Sequence, residues 1–153
     1  MRLVLFVHIL GTAMWIGGGL AGMVVAFSAR DEAPHVRAGA FRIIGRLHTM
    51  IIGFGALLVL GSGVILTMTM YSDGLGDLFS DTKLWVMIVT GLLAGLMVLF
   101  VGLPTASRLS ALAIASDKGT LPPAFEMYRK RMAVVSSVAG ALAVVSLLSW
   151  YMF

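Results

Sequence analysis

A histidine inside a long apolar segment is the residue best placed to do chemistry in this chain. His8 is the only ionisable side chain in the 25 residues from Leu3 to Phe27. A helix of that length spans about 37 Å, enough to cross a bilayer. A polar side chain there is costly in hydrocarbon, and an imidazole can ligate haem iron or copper. The structural alternative is a histidine that hydrogen-bonds to a neighbouring helix or extends to the nearby outer interface of the membrane.

The residues that follow His8 share one helical face with it. Gly11, Trp15, Gly18 and Gly22 lie 3, 7, 10 and 14 positions further on. These spacings place all five side chains on one side of a helix. Glycine lets another surface come close to the backbone. The face therefore either packs against a second helix or leaves room for a porphyrin, with His8, Gly11, Trp15 and Gly18 as cofactor contacts.

A second candidate ligand is His48, which follows Arg42 and Arg46. Arginine beside a histidine ligand is an arrangement that binds haem propionates. The alternative is an interfacial cluster of Arg42, Arg46 and His48 at the depth of the lipid headgroups. Met132 is predicted at the depth of His48 and is a weaker candidate for an axial ligand. His35 is expected in solvent.

The two histidines cannot hold one iron within one chain. The predicted registers place His8 and His48 about 25 Å apart along the membrane normal. Met68 and Met70 are predicted near the depth of His8, and thioethers with an imidazole suit Cu(I). Haem b, held by one of these histidines, is the leading cofactor. Copper at His8, Met68 and Met70 is the alternative.

The composition indicates an all-α membrane protein. The mean hydropathy is +1.01 and 12% of the residues are charged, whereas about 25% are charged in soluble domains. Every backbone polar group needs an internal partner in lipid, so the apolar runs are predicted helices. We predict one domain over 1–153, an antiparallel bundle of four transmembrane helices. The spans are about 3–27, 47–70, 84–103 and 133–153.

The ends of these helices have local signals. Pro104 is predicted to end the third span, and the following small-residue stretch is interpreted as a short helix on the membrane surface. Asp31 is predicted to cap a helix that has Pro34 in its first turn and runs into the second span. The segment between Tyr71 and Lys83 is predicted to be irregular.

The basic residues predict the orientation. Nine of the eleven lie in the segments 28–46 and 104–132. The positive-inside rule makes these segments cytoplasmic, with both termini outside the plasma (inner) membrane. The net charge of +4 is thus explained by topology and does not indicate nucleic acid. The absence of cysteine excludes disulfides, thiolate metal sites and iron–sulfur clusters.

Gly91 and Gly95 form a GxxxG pattern in the third span. Such a pattern is typical of close packing, either within the bundle or between subunits. The expected partners are therefore the lipid bilayer, a second copy of the chain through glycine-rich faces, and an electron-transfer partner.

The segment from His8 to Gly17, HILGTAMWIG, resembles the first-helix pattern H-x-x-G/A-x-x-x-W-x-G. This pattern occurs in small four-span predicted integral membrane proteins of bacteria related to copper-resistance-D-like and protoporphyrinogen-oxidase-J-like proteins. The resemblance covers mainly the first two spans, and His8 and Trp15 are the matching positions. The oxidase-like branch implies haem b and a functional first-helix histidine, although this chain lacks an intramembrane lysine and a histidine pair at one depth. The copper-resistance branch implies periplasmic copper handling.

Three functions follow from these patterns. The leading one is an integral membrane b-type haem protein in electron transfer or oxidoreduction, which includes a membrane oxidoreductase. The first alternative is a copper-binding or transporting protein that uses His8 and the two outer methionines. The second is a cofactor-free accessory or assembly protein.

Overall fold

The computed structural model describes residues 1–71, 81–114 and 121–152. Within these ranges the chain is helical, with no strand. The α-helices are α1 (Arg2–Ser28), α2 (Pro34–Leu47), α3 (Gly53–Met70), α4 (Thr82–Met97), α5 (Leu103–Ile114) and α6 (Pro123–Met152). Two five-residue π-helical segments, His48–Ile52 and Val98–Gly102, join α2 to α3 and α4 to α5.

The π segments join the α-helices into four continuous helical rods: α1, α2 with α3, α4 with α5, and α6. Two of these rods are much longer than a bilayer is thick. The second rod runs from Pro34 to Met70 and the third from Thr82 to Ile114, 37 and 33 residues. At 1.5 Å per residue they measure roughly 55 and 50 Å, against about 30 Å of hydrocarbon. All four rods are long and apolar enough to cross a membrane. The predicted all-α fold with four membrane-spanning helices is confirmed.

The prediction that Pro104 ends a helix is wrong. The helix continues through Pro104 to Ile114, so the predicted surface helix is a continuation of the third rod. The π segment ends just before the proline, and its wider turn lets Leu103 N–H bond to the Val98 carbonyl. A wider turn at this point accommodates a ring that would clash with the preceding turn of an α-helix. The Thr105 hydroxyl donates to the Val101 carbonyl at 2.6 Å.

The start of α2 differs in one detail from the prediction. Pro34 is the first helical residue, as expected, but Ala33 is the N-cap and no side chain caps the helix. Asp31 therefore does not cap it. Most of the segment 71–83, for which we predicted an irregular loop, lies outside the described residues, namely 72–80. Asp81 at its end caps α4 by accepting from the Lys83 and Leu84 N–H groups at 3.0 and 3.3 Å.

The helices pack around two apolar clusters. α1 packs mainly on α3, α4 on α6, and α2 on α5. The central cluster joins the four rods through Trp15, Ile52, Ala56, Ala94, Val98, Ala139 and Ala143. The second cluster lies where α2, α5 and the start of α6 meet, and contains Ala38, Phe41, Ile44, Ala106, Leu109, Ala113, Phe125 and Met132. We call this end of the bundle the basic end, because α2, α5 and α6 carry most of the arginines there.

Candidate functional site

The glycine-rich face of α1 is packed against the second rod. Its buried residues are Gly11, Trp15, Gly18 and Gly22, the four that the spacing placed on the face of His8. A Cβ at Gly11 would lie 2.9 Å from the Gly55 carbonyl oxygen, and a Cβ at Gly55 would lie 2.8 Å from the Gly11 oxygen. The backbones thus touch at this crossing. The structure favours helix packing for this face, because α3 occupies the space that a flat ligand would need.

His8 lies at the end of this face, half-buried between α1 and α3. Its Nδ1 is 3.0 Å from Ser62 Oγ. The Ser62 hydroxyl donates its own hydrogen to the Leu58 carbonyl, so the oxygen has only lone pairs to offer the ring. In the tautomer that fits this arrangement, His8 Nδ1–H donates to Ser62 and Nε2 keeps its lone pair. The ring also lies against Gly63, where a Cβ would be 3.4 Å from His8 Cε1.

This hydrogen bond gives His8 the form that a metal ligand needs. A ligating imidazole almost always donates its second ring N–H to a neighbouring acceptor, which fixes the tautomer and the ring plane. Here the acceptor is a serine that is 5% exposed. In the described part of the chain no group of three or more His, Cys, Asp or Glu side chains could hold a metal ion. A single oriented histidine fits an axial ligand of haem better than a tetrahedral metal site.

His48 lies in the interior of the bundle. It is 6% exposed and begins the π segment. Its Nδ1 is buried and forms no hydrogen bond within the described residues. Arg42 and Arg46 are exposed, whereas Ile44, Gly45 and His48 are buried. The structure does not bring Arg42 and Arg46 beside His48, because spacings of two and six residues turn the arginines away from it.

The structure keeps the predicted ligands apart. Ser62, which binds His8, lies 14 residues beyond His48 on the same rod, or about 21 Å along the axis. This agrees with the predicted separation of the two histidines. Met132 packs in the cluster at the basic end. Met68 and Met70 are 68% and 55% exposed and lie six and eight residues beyond Ser62, roughly 9 to 12 Å further along the helix.

The glycines of α4 are used inside the bundle. A Cβ at Gly95 would lie 2.9 Å from the Leu60 side chain, and a Cβ at Gly91 would lie 3.1 Å from Ser146 Oγ. Ser146 in turn donates to the Met87 carbonyl at 2.9 Å. Of the two interpretations of the GxxxG pattern, the structure supports packing within the chain.

A charged cluster at the basic end was not predicted from the sequence. Glu126 on α6 accepts from Arg37 on α2 at 2.6 Å and from Arg129 at 2.8 Å. It lies in the charged first turns of α6, outside the apolar span. Burial raises the pKa of Glu126, but the hydrogen bonds and charges of Arg129 and Arg37 outweigh it and hold this pKa below its usual value. The spacing of Glu126 and Arg129 was the only signal in the sequence, since Arg37 is 89 residues away.

Comparisons with known proteins place the whole chain in one family. A family model described as a predicted integral membrane protein (DUF2269) matches residues 2–152. No curated protein and no solved structure matches the chain.

Proposed function

Since the chain belongs to this family of predicted integral membrane proteins, we propose that it is a b-type haem protein of the bilayer, active in electron transfer or oxidoreduction, with His8 as an axial ligand. The observation that carries the proposal is the hydrogen bond from His8 Nδ1 to Ser62. It holds the ring in one tautomer and leaves Nε2 to bind a metal. The resemblance of the first helix to the oxidase-like branch supports the same residue.

Each residue around His8 has a part in holding the ligand. Ser62 accepts a hydrogen bond from Nδ1–H and donates its own hydrogen to the Leu58 carbonyl, which would hold the imidazole in one orientation. Gly63 leaves space for the ring. Gly11 and Gly55 set the close approach of α1 and α3 that brings His8 to Ser62. The bound haem would supply one-electron exchange at its iron.

The proposal requires one protein ligand from this chain. His48 lies about 21 Å away along the rod, and neither Arg42 nor Arg46 is placed to bind propionates beside His48. Gly11, Trp15 and Gly18 act as packing residues in this proposal, because α3 and the π segment cover them. Of the described residues, His8 alone would hold the haem iron in this proposal.

Copper at the same histidine is the alternative. The free Nε2 suits copper as well as haem. The exposed positions of Met68 and Met70 do not favour it, since neither lies at the depth of His8. Metal analysis of the purified protein separates the two.

The location follows from the charges. We propose that the basic end faces the cytoplasm of a bacterial cell and that both termini lie outside the inner membrane, because nine of the eleven basic residues lie in the two segments at that end. A reporter fused after Phe153 should be active only outside the cytoplasm. Activity inside would reverse the orientation and would leave the His8 proposal intact.

Three variants test the haem proposal. His8→Ala should remove the haem from purified protein. Ser62→Ala keeps the ligand but loses its acceptor, and should weaken haem binding about 10- to 100-fold, the usual cost of losing such a partner. His35→Ala, at an exposed position on α2, should bind haem as the wild type does. Equal haem content in His8→Ala and His35→Ala would overturn the assignment of His8.

A further inference from the structure

The charged cluster at the basic end surrounds a polar cavity. The cavity measures about 210 Å³ and lies where the end of α1, the start of α2 and the start of α6 meet. Its charged lining residues are Arg30, Asp31, Arg37, Glu126 and Arg129. Its lining residue on α1, Ala26, is 18 residues from His8, so the site is independent of the haem proposal.

The arginines of this cavity have more donors than the protein uses. A guanidinium carries five N–H donors. Arg37 and Arg129 each donate to one oxygen of Glu126, so one carboxylate serves both. The side chain of Arg30 has no hydrogen-bond or ion-pair partner within the described residues, and neither has that of Asp31. Most of the donor capacity is therefore unsatisfied by protein groups.

The charge balance identifies the ligand that fits. The lining has three guanidinium groups and two carboxylates, which leaves one positive charge in excess. Arginine forks match the oxygens of phosphate, and several can bind one phosphate group together. We propose that this cavity binds a phosphate group, with Arg30, Arg37 and Arg129 as donors.

Glu126 is a positioning residue in this site. Its two oxygens hold Arg37 and Arg129 at 2.6 and 2.8 Å, which orders both side chains before a ligand arrives. Phe125 beside it is fully buried and packs edge-on against Phe41, with ring centroids 5.2 Å apart. This contact packs the start of α6 against α2, so the two helices that carry Arg37 and Arg129 are held together.

The phosphate can come from two sources. The cavity lies at the end of the first apolar helix, with Ala26 of α1 in its lining, and we expect lipid headgroups near the end of a helix that crosses the bilayer. An anionic lipid with a terminal phosphate could enter it from the bilayer, and free phosphate or a soluble phosphate ester could enter it from the aqueous phase. Both offer the same oxygens to the arginines.

Two substitutions that change the charge of the cavity in opposite directions test the site. Neither alters the ion pairs of Glu126. Arg30→Gln removes a donor and a positive charge, and Asp31→Asn removes a negative charge. The control is Arg42→Gln, an exposed arginine of α2 that does not line the cavity. The full chain is titrated with inorganic phosphate in nanodiscs of phosphatidylcholine. A second arm compares its binding of phosphatidic acid with that of phosphatidylcholine.

We expect Arg30→Gln to weaken binding about tenfold, the usual effect of losing a charge-assisted hydrogen bond. Asp31→Asn should strengthen binding, and Arg42→Gln should match the wild type. Binding in the inorganic phosphate arm identifies a soluble ligand, and binding only in the phosphatidic acid arm identifies a lipid. The proposal is overturned if neither probe binds, or if Arg30→Gln and Arg42→Gln lose the same affinity, which would indicate general attraction to basic surface.

Discussion

The contact between Gly11 and Gly55 gives the sharpest test of the fold around His8. In Gly55→Ala the new Cβ would lie 2.8 Å from the Gly11 oxygen and 2.9 Å from the Trp15 nitrogen. Both are backbone atoms, so no side chain can move aside and the two helices must separate. Overpacking of this kind costs about 1–3 kcal/mol, while alanine gains about 1 kcal/mol over glycine in helix propensity. Because the clash is with backbone atoms, the overpacking cost should lie in the upper part of its range. Subtracting the gain in helix propensity leaves a net loss of stability of about 1–2 kcal/mol.

Gly61→Ala is the matched control, on the same helix. A Cβ at Gly61 meets nothing within 4 Å, so only the propensity gain of about 1 kcal/mol remains. The two variants should therefore differ in free energy of unfolding by roughly 2–3 kcal/mol, with opposite signs relative to the wild type. Equilibrium unfolding in one lipid or detergent system measures both. Equal stabilities, or a stabilised Gly55→Ala, would refute the close crossing of α1 and α3.

Two further predictions concern buried and charged groups. His48→Leu should stabilise the protein in thermal unfolding, because it removes a buried Nδ1 that forms no hydrogen bond with the described residues, and such a group costs about 1–3 kcal/mol. A loss of stability would indicate that the ring does have a partner, such as the Ile44 carbonyl one turn earlier. Glu126 should make stability depend on pH: its lowered pKa means that its contribution is complete above the ordinary carboxyl pKa and is lost as the pH falls through the lowered pKa. The change should be below about 1 kcal/mol because the side chain is 44% exposed. Glu126→Gln should abolish it, and an unchanged pH profile in that variant would assign the effect to other carboxylates.

The helical face of His8 could be predicted because the 3.6-residue repeat of the α-helix alone determines which side chains share a face. The spacing of Gly11, Trp15, Gly18 and Gly22 gave all the buried residues of α1. Once Gly11 meets Gly55, the antiparallel register also brings His8 near Ser62. The partner of His8 could not be read from the sequence alone, because no local pattern reports which residue of α3 lies opposite.

Three features could not be predicted from the sequence, each for a different physical reason. The burial of His48 could not be predicted because the helices that cover it, α1 and α5, come from distant parts of the sequence. The continuation of the helix through Pro104 could not be predicted, because the π segment before it removes the clash that normally ends a helix at proline. The pair of Arg37 and Glu126 joins two helices 89 residues apart, and charge spacing within one helix cannot predict such a contact.

The most direct test of the haem proposal is a reduced-minus-oxidised optical spectrum of the purified full-length protein, recorded beside that of His8→Ala. The proposal predicts a Soret band that shifts on reduction with dithionite in the wild type and is absent from the variant. A wild-type protein without haem absorbance that carries stoichiometric copper would contradict haem binding and favour the copper alternative. A protein with neither haem nor copper would contradict both.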